Sequence, residues 1–171
     1  MIDIDPTDFA KRVKEISQVD PEFKKSIKKR LKAAAEPVVQ EVKRAALAIP
    51  ATKEVEGTRK KKGENLGLRA SLANATIADV NPTKKGAILK IRVSTSKFMS
   101  ASGRPRTIPY YMEGRRKRQW RHPVFGNTEN WVAQQSHPFL GVTVLPHKVE
   151  FASQVTQALD DALKDSGLLN S

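Results

Sequence analysis

The sequence predicts an α+β fold in which a long, kinked N-terminal helix and a C-terminal helix pack on a small antiparallel sheet. An early and a late segment both carry apolar residues at spacings of three and four, as one face of a helix requires. Between them lies a stretch with period-two alternation, typical of a half-buried strand. The length of 171 residues suits one domain, so we expect residues 1–171 to form a single domain.

The first predicted element is a short helix within an N-terminal helical extension over residues 1–19. Asp5-Pro6, followed by Asp8, combines a capping residue, a proline at the first helical position and an acid in the first turn. We expect this helix to end near Ser17.

The same start signal recurs at Asp20-Pro21-Glu22 and predicts the long helix. It should run from Pro21 to Ala48, about 28 residues or about 40 Å at 1.5 Å per residue. Pro37 lies inside this segment and should bend the helix near Ala33 to Pro37 without ending it. Ile49-Pro50 should end the helix, because a residue before proline avoids the helical conformation. The apolar stripe includes Phe23, Ile27, Leu31, Val38, Val42 and Ile49.

A hairpin is predicted in the middle of the chain. A turn or two of helix is predicted from Leu66, Leu68, Leu72 and Ala73. After it, Thr76 to Val80 and Ala87 to Thr95 are predicted to be strands joined by a polar turn. Two long basic loops, over residues 51–67 and 96–121, flank this region because both segments are polar and rich in Lys and Arg.

A closing helix is predicted from about Pro146 to Lys164, with Gly167 just past its end. The apolar faces of the two long helices and of the strands should pack together and form the core. Its members are Leu31, Val38, Val42, Ile91, Phe139 and Leu159.

The charge of the chain points to an anionic partner. Lys and Arg number 31 against 18 Asp and Glu, a formal charge of +13. Up to Arg121 there are 29 basic and 13 acidic residues, and from His122 onward there are 2 basic and 5 acidic residues.

The absence of cysteine excludes disulfides, thiolate metal sites and a Cys nucleophile. No run of about 18 apolar residues occurs, so no membrane partner is expected.

Catalytic patterns are weak in this sequence. His122, Asn130 and His137 follow the order seen in metal-dependent nucleases, but their spacings are too short for the strand, loop and helix that such a site needs. Asp160-Asp161 is most simply a solvated pair on the closing helix. We therefore expect no enzyme activity, no catalytic residue, no cofactor and no metal.

The basic clusters favour a binding role, and three interpretations stay open. Arginines next to Tyr110, Tyr111, Trp120 and Phe125 could bind phosphates and stack bases. They could instead bind an acidic protein surface, where Arg supplies rigid forks for carboxylates. A surface that only keeps the protein soluble is the third. The candidate partner or DNA contacts are Arg59, Lys60, Lys61, Lys62, Arg104, Arg106, Arg115, Arg116, Lys117, Arg118 and Arg121.

Several short motifs follow one another along the chain. They are Ala34 to Val39, Ile49-Pro50, Leu68 to Leu72, Tyr110-Tyr111-Met112-Glu113-Gly114, Trp120 to Asn127, Trp131-Val132 and Pro138-Phe139-Leu140. Their order resembles the tail-completion or neck morphogenesis family of long-tailed bacteriophages, and the resemblance covers about residues 20 to 165. The long loop around Arg59 to Lys62 and the insertion of Arg115 to Arg118 depart from the pattern.

This resemblance implies a structural virion protein without enzymatic activity. Such a subunit would form a homo-oligomeric ring, expected to be hexameric, between the phage connector or stopper and the tail tube, close to packaged DNA. It would be assembled in the host cytoplasm and end in the tail or neck. Tail-completion, terminator and stopper roles all stay open, and the alternative function is a standalone basic nucleic-acid-binding protein.

Two physical features agree with a ring. A helix of about 40 Å is long for a domain of this size, so part of its face could meet a neighbour. A subunit that is basic toward one end and acidic toward the other suits head-to-tail packing, the contact that closes rings.

Overall fold

The computed structural model of the chain describes residues 20–50, 67–81, 89–102, 107–114, 118–124 and 127–165. Within them the fold is α+β, as predicted, with two small antiparallel sheets where one was expected. Two predictions fall outside the described residues: the short helix ending near Ser17, and residues 51–66 of the first predicted basic loop.

The elements are α1 Pro21–Leu47, α2 Leu68–Ala75, β1 Thr76–Val80, β2 Leu89–Val93, α3 Thr95–Ser102, α4 Ile108–Met112, β3 Gln119–Val124, β4 Asn127–Gln135, α5 Gly141–Val144, a 3-10 turn Leu145–His147 and α6 Lys148–Asp165.

The long helix α1 confirms the prediction within one residue at its end. Asp20 Oδ1 accepts hydrogen bonds from the backbone N–H groups of Glu22 at 2.9 Å and Phe23 at 3.2 Å, as a capping residue does. The helix continues through Pro37 without a break. The bend expected there stays a prediction.

Contacts divide the chain into two compact units. One comprises Met1–Gln40, Ile77–Arg92 and Pro146–Ser171, and the other comprises Glu41–Thr76 and Val93–Leu145. In the first unit, α1, the β1–β2 sheet and α6 share one core, which confirms the predicted packing of both long helices on this sheet. Its members are Phe23, Ile27, Leu31, Val80, Ala158, Leu159 and Ala162, with Leu89, Val155 and Leu163 packed against them.

A polar cluster joins α1 to α6 beside this core. The guanidinium of Arg30 contacts the carboxylates of Asp165 and, at 3.3 Å, of Asp161, while the Ser26 hydroxyl donates to Asp165 at 3.3 Å. The hydrogen bond from Arg30 lowers the pKa of Asp165, and the same bond raises the pKa of Arg30. Asp160 is solvated, as expected, but Asp161 is held in an ion pair, which corrects its assignment to a solvated surface.

The second unit shows that part of the predicted loop over residues 96–121 is helical. The strand β2 ends at Val93, and Thr95, expected to end that strand, begins α3 instead. Ser94 starts this helix, since its Oγ accepts from the N–H of Lys97 at 3.5 Å, and Phe98 is fully buried one turn later. A serine cap and one buried aromatic residue therefore outweigh the polar composition of the segment.

The rest of residues 96–121 also departs from the loop prediction. Ile108–Met112 forms α4 with Pro109 near its start, and β3 begins at Gln119. α2 packs against α3 in this unit, and the backbone N–H of Ser94 bonds the carbonyl of Ala75 at 2.7 Å.

Five of the six predicted core residues are buried. Ile91 is the exception, since it is only partly buried on a strand whose side chains are all at least partly exposed. The sheet has two strands and so covers less of each strand than a larger sheet would. The five buried residues are Leu31, Val38, Val42, Phe139 and Leu159.

Candidate functional site

An antiparallel hairpin formed by β3 and β4 is the main surface feature of the second unit. Gln119 pairs with Gln135 at its base and Pro123 with Trp131 further along, and the register shifts between Pro123 and Val124. No strand is predicted for this segment from the sequence. A usable signal was present, because Gly126-Asn127 is a common turn pair between two extended runs.

Both faces of β4 are exposed over most of its length. Every residue of β4 from Thr128 to Ala133 is exposed, although successive side chains on a strand point to opposite faces. Trp131 is 48% exposed and Val132 is 42% exposed. In the described part of the chain no third strand pairs with β3 or β4. We call the two strands β3 and β4 the hairpin arm.

The base of the hairpin arm is fixed on α4. The rings of Tyr111 and Trp120 stack with centroids 5.3 Å apart and an angle of 19° between their planes. Just beyond β4, the Ser136 hydroxyl donates to the carbonyl of Tyr111 at 2.8 Å, and its backbone N–H donates to the carbonyl of Arg118 at 2.8 Å. These contacts hold the arm in one direction relative to α4.

Glu113 ties the same region to the start of α5. One carboxylate oxygen accepts from the N–H groups of Phe139 at 2.9 Å and Leu140 at 2.8 Å, and the other accepts from Gly141 at 3.0 Å. Charge-assisted bonds of this kind are about twice as strong as neutral ones. They bind the backbone beside Phe139, whose side chain is buried.

Gly114 makes this connection sterically possible. Its φ of +67° is the left-handed conformation that residues with a Cβ rarely adopt. A Cβ at this position would lie 3.4 Å from the Cβ of Ser136, which is an ordinary van der Waals contact, so the backbone conformation is what favours glycine here. The motif Tyr110 to Gly114 and the motif Pro138 to Leu140, which are far apart in the sequence, are thus in direct contact.

The structure describes two of the eleven predicted contact residues. Arg118 is exposed and borders a cleft between the base of the arm and the turn at Glu113 and Gly114. Arg121 is exposed on β3, opposite Ala133. The other nine lie outside the described residues: Arg59, Lys60, Lys61, Lys62, Arg104, Arg106, Arg115, Arg116 and Lys117.

The aromatic residues considered for base stacking have different environments. Tyr111 and Trp120 cover each other, and Tyr110 meets the edge of Tyr111 while staying 45% exposed. Phe125 lies outside the described residues. Of the described aromatic candidates, Tyr110 therefore offers the most ring surface to a partner.

Asn130 and His137, two of the three residues considered for a nuclease site, are not brought together. Asn130 is exposed within β4, and five residues of strand, about 16 Å, separate it from Gln135, beyond which His137 lies. Over the described ranges, no three His, Asp or Glu side chains form a group able to hold a metal ion. Likewise, none of the helices described is long and apolar enough to cross a membrane.

Compared with known proteins, the chain matches no family model, no curated protein and no solved structure.

Proposed function

We propose that this protein is a structural subunit of the head-to-tail joint of long-tailed bacteriophages, of the tail-completion or tail-terminator type. In this role it forms a ring with copies of itself between the connector and the tail tube. The resemblance of the motif order gives the class of assembly. The hairpin arm is the observation that supports a role in assembly, because the side chains exposed on both faces of β4 form a surface that a neighbour would cover.

The composition of the arm suits a protein interface. Isolated two-stranded hairpins are marginally stable in water, so an arm exposed on both faces gains stability when a partner packs on it. Trp, Tyr and Arg dominate the binding energy of protein interfaces, and the arm and its base present Trp131, Tyr110 and Arg121 to solvent.

The arm is also held ready for binding. The indole N–H of Trp131 donates to the carbonyl of Thr128 at 2.7 Å, which fixes the ring within its own strand. Together with the Tyr111–Trp120 stack at the base, this bond reduces the entropy lost when a partner binds.

The proposal is tested with the purified full chain. Native mass spectrometry and sedimentation velocity are run on the protein alone and after mixing with phage tails that lack it. We expect a ring in at least one of these two samples. The double variant Trp131→Ala, Val132→Thr should keep its circular dichroism spectrum and assemble about 30-fold more weakly, as expected for loss of a hot spot of about 2 kcal/mol.

Val149→Ala is the matched control, since Val149 is 82% exposed on α6 and lies outside the arm. It should assemble like the wild type. A wild-type chain that stays monomeric and binds no tails, or a folded arm variant that assembles normally, would contradict the proposal.

A further inference from the structure

Five lysines occupy the exposed face of the first half of α1. All five side chains are exposed, whereas Phe23, Ile27 and Leu31, which alternate with them along the helix, are fully buried in the core of the first unit. Residues 24–33 contain no acidic residue. We call this surface the lysine face, and its members are Lys24, Lys25, Lys28, Lys29 and Lys32.

The acids of α6 do not neutralise this face. Asp161 and Asp165 contact Arg30, which lies on one flank of the buried stripe. At 3.6 residues per turn, Lys24 and Lys28 lie on the other flank. Among the described residues the lysine face has one ion pair, between Lys25 and Glu22 at 3.8 Å, and both side chains are at least 80% exposed, where such a pair contributes little.

The lysine face costs the helix some stability. Three pairs of lysines lie four residues apart: Lys24 and Lys28, Lys25 and Lys29, and Lys28 and Lys32. Like charges at this spacing repel and destabilise a helix by roughly 0.2–0.5 kcal/mol a pair. The buried stripe holds the helix in place despite this repulsion, and a bound polyanion would relieve it.

We propose that the lysine face is a binding surface for the phosphate backbone of duplex nucleic acid, independent of base sequence. From Lys24 to Lys32 the helix rises about 12 Å. A duplex carries one negative charge per about 1.7 Å, or about seven phosphates over that length. Five ammonium groups thus face a similar density of opposite charge, and the ammonium of lysine binds phosphate as a compact point charge.

A lipid surface fits this face less well. A helix that binds membranes inserts the apolar side chains beside its basic residues into the lipid. In α1 those side chains, Phe23, Ile27 and Leu31, are already buried in the protein core. An acidic protein also fits less well, because rigid recognition of carboxylates favours the forked guanidinium of Arg, and this face contains only Lys.

The lysine face shares no residue with the hairpin arm or with the predicted arginine clusters, so the inference stands whether or not the chain forms a ring. The test uses the full chain and a duplex of about 24 base pairs of unrelated sequence, with fluorescence anisotropy between 50 and 200 mM salt. The triple variant Lys24→Gln, Lys28→Gln, Lys32→Gln should reduce the slope of log affinity against log salt by about 2.7, or 0.9 for each contact removed. When the salt concentration rises from 50 to 200 mM, the triple variant should therefore lose about 40-fold less affinity than the wild type loses.

The matched control removes the same charge from exposed positions elsewhere, in Lys90→Gln, Lys148→Gln, Lys164→Gln. It should leave the slope within about 0.5 of the wild type. Circular dichroism must show that both variants keep their helices. Equal changes of slope in the two variants would overturn the proposal, because binding would then follow net charge alone. It would also be overturned if the first variant kept its DNA binding but lost binding to phosphatidylserine vesicles.

Discussion

At the scale of single residues, Glu113 organises the hairpin region. Its carboxylate accepts three backbone N–H groups from residues 139–141, and no other described side chain bonds these groups. Because a hydrogen bond to a charged group contributes about 1.5–3 kcal/mol, and shared bonds are not additive, Glu113→Ala should reduce the free energy of unfolding by about 2–4 kcal/mol. Urea denaturation measures this change.

Asp160→Ala is the control for Glu113→Ala, since Asp160 is an exposed carboxylate on α6. It should change the free energy of unfolding by less than about 0.5 kcal/mol. If the two variants are equally stable, Glu113 does not hold the start of α5.

Gly114 provides a second prediction at this scale. Gly114→Ala forces a residue with a Cβ into the left-handed conformation, and should cost about 1–2 kcal/mol of unfolding free energy. Gly67→Ala is the matched control, because its φ of −54° suits any residue and a Cβ there meets nothing within 4 Å. Thermal denaturation should show a lower Tm for the first variant and one near the wild type for the second. A Tm that falls equally in both would contradict this account.

At the scale of elements, the ion pair between Arg30 and Asp165 makes the packing of α1 on α6 depend on pH. The hydrogen bond from Arg30 holds the pKa of Asp165 below the value of about 4 that it has in the unfolded chain. The unfolded chain therefore binds the proton first as the pH falls. The stability from this pair is fully present above about pH 4 and is lost as the pH falls through the lower, folded pKa.

Asp165→Asn should accordingly lower the urea midpoint more at pH 7 than at pH 2. Asp160→Asn, which removes a solvated carboxylate one turn away, should follow the wild type at both pH values. If Asp165→Asn lowers the urea midpoint by the same amount at both pH values, the charge of this carboxylate does not stabilise the fold.

The elements also differ in how well local sequence predicts them. The bounds of α1 and α6 follow from apolar stripes and from caps such as Asp20, so they could be predicted within a few residues. The strand at Thr76–Val80 was equally clear. The helix α3 was not, because its signal is one capping Ser94 and one apolar Phe98 in a polar segment.

At the scale of the whole molecule, positive charge is the property on which the lysine-face proposal depends. The eleven predicted contact residues belong to the two predicted basic loops, and nine of them lie outside the described residues. The structure adds a basic surface on a regular element, the lysine face of α1. The hairpin arm and the lysine face lie in different units, so each can be tested by variants that leave the other intact.

By itself, the sequence determined the fold class, the long helices, the first hairpin and most of the core, because helical and strand periodicity are properties of neighbouring residues. It also determined the charge, which is a sum over residues. Only the tertiary structure decided that Glu113 binds the backbone at residues 139–141, that Tyr111 stacks on Trp120, and that β4 leaves Trp131 in solvent. Those features depend on which distant segments meet when the chain folds, and no local periodicity records that choice.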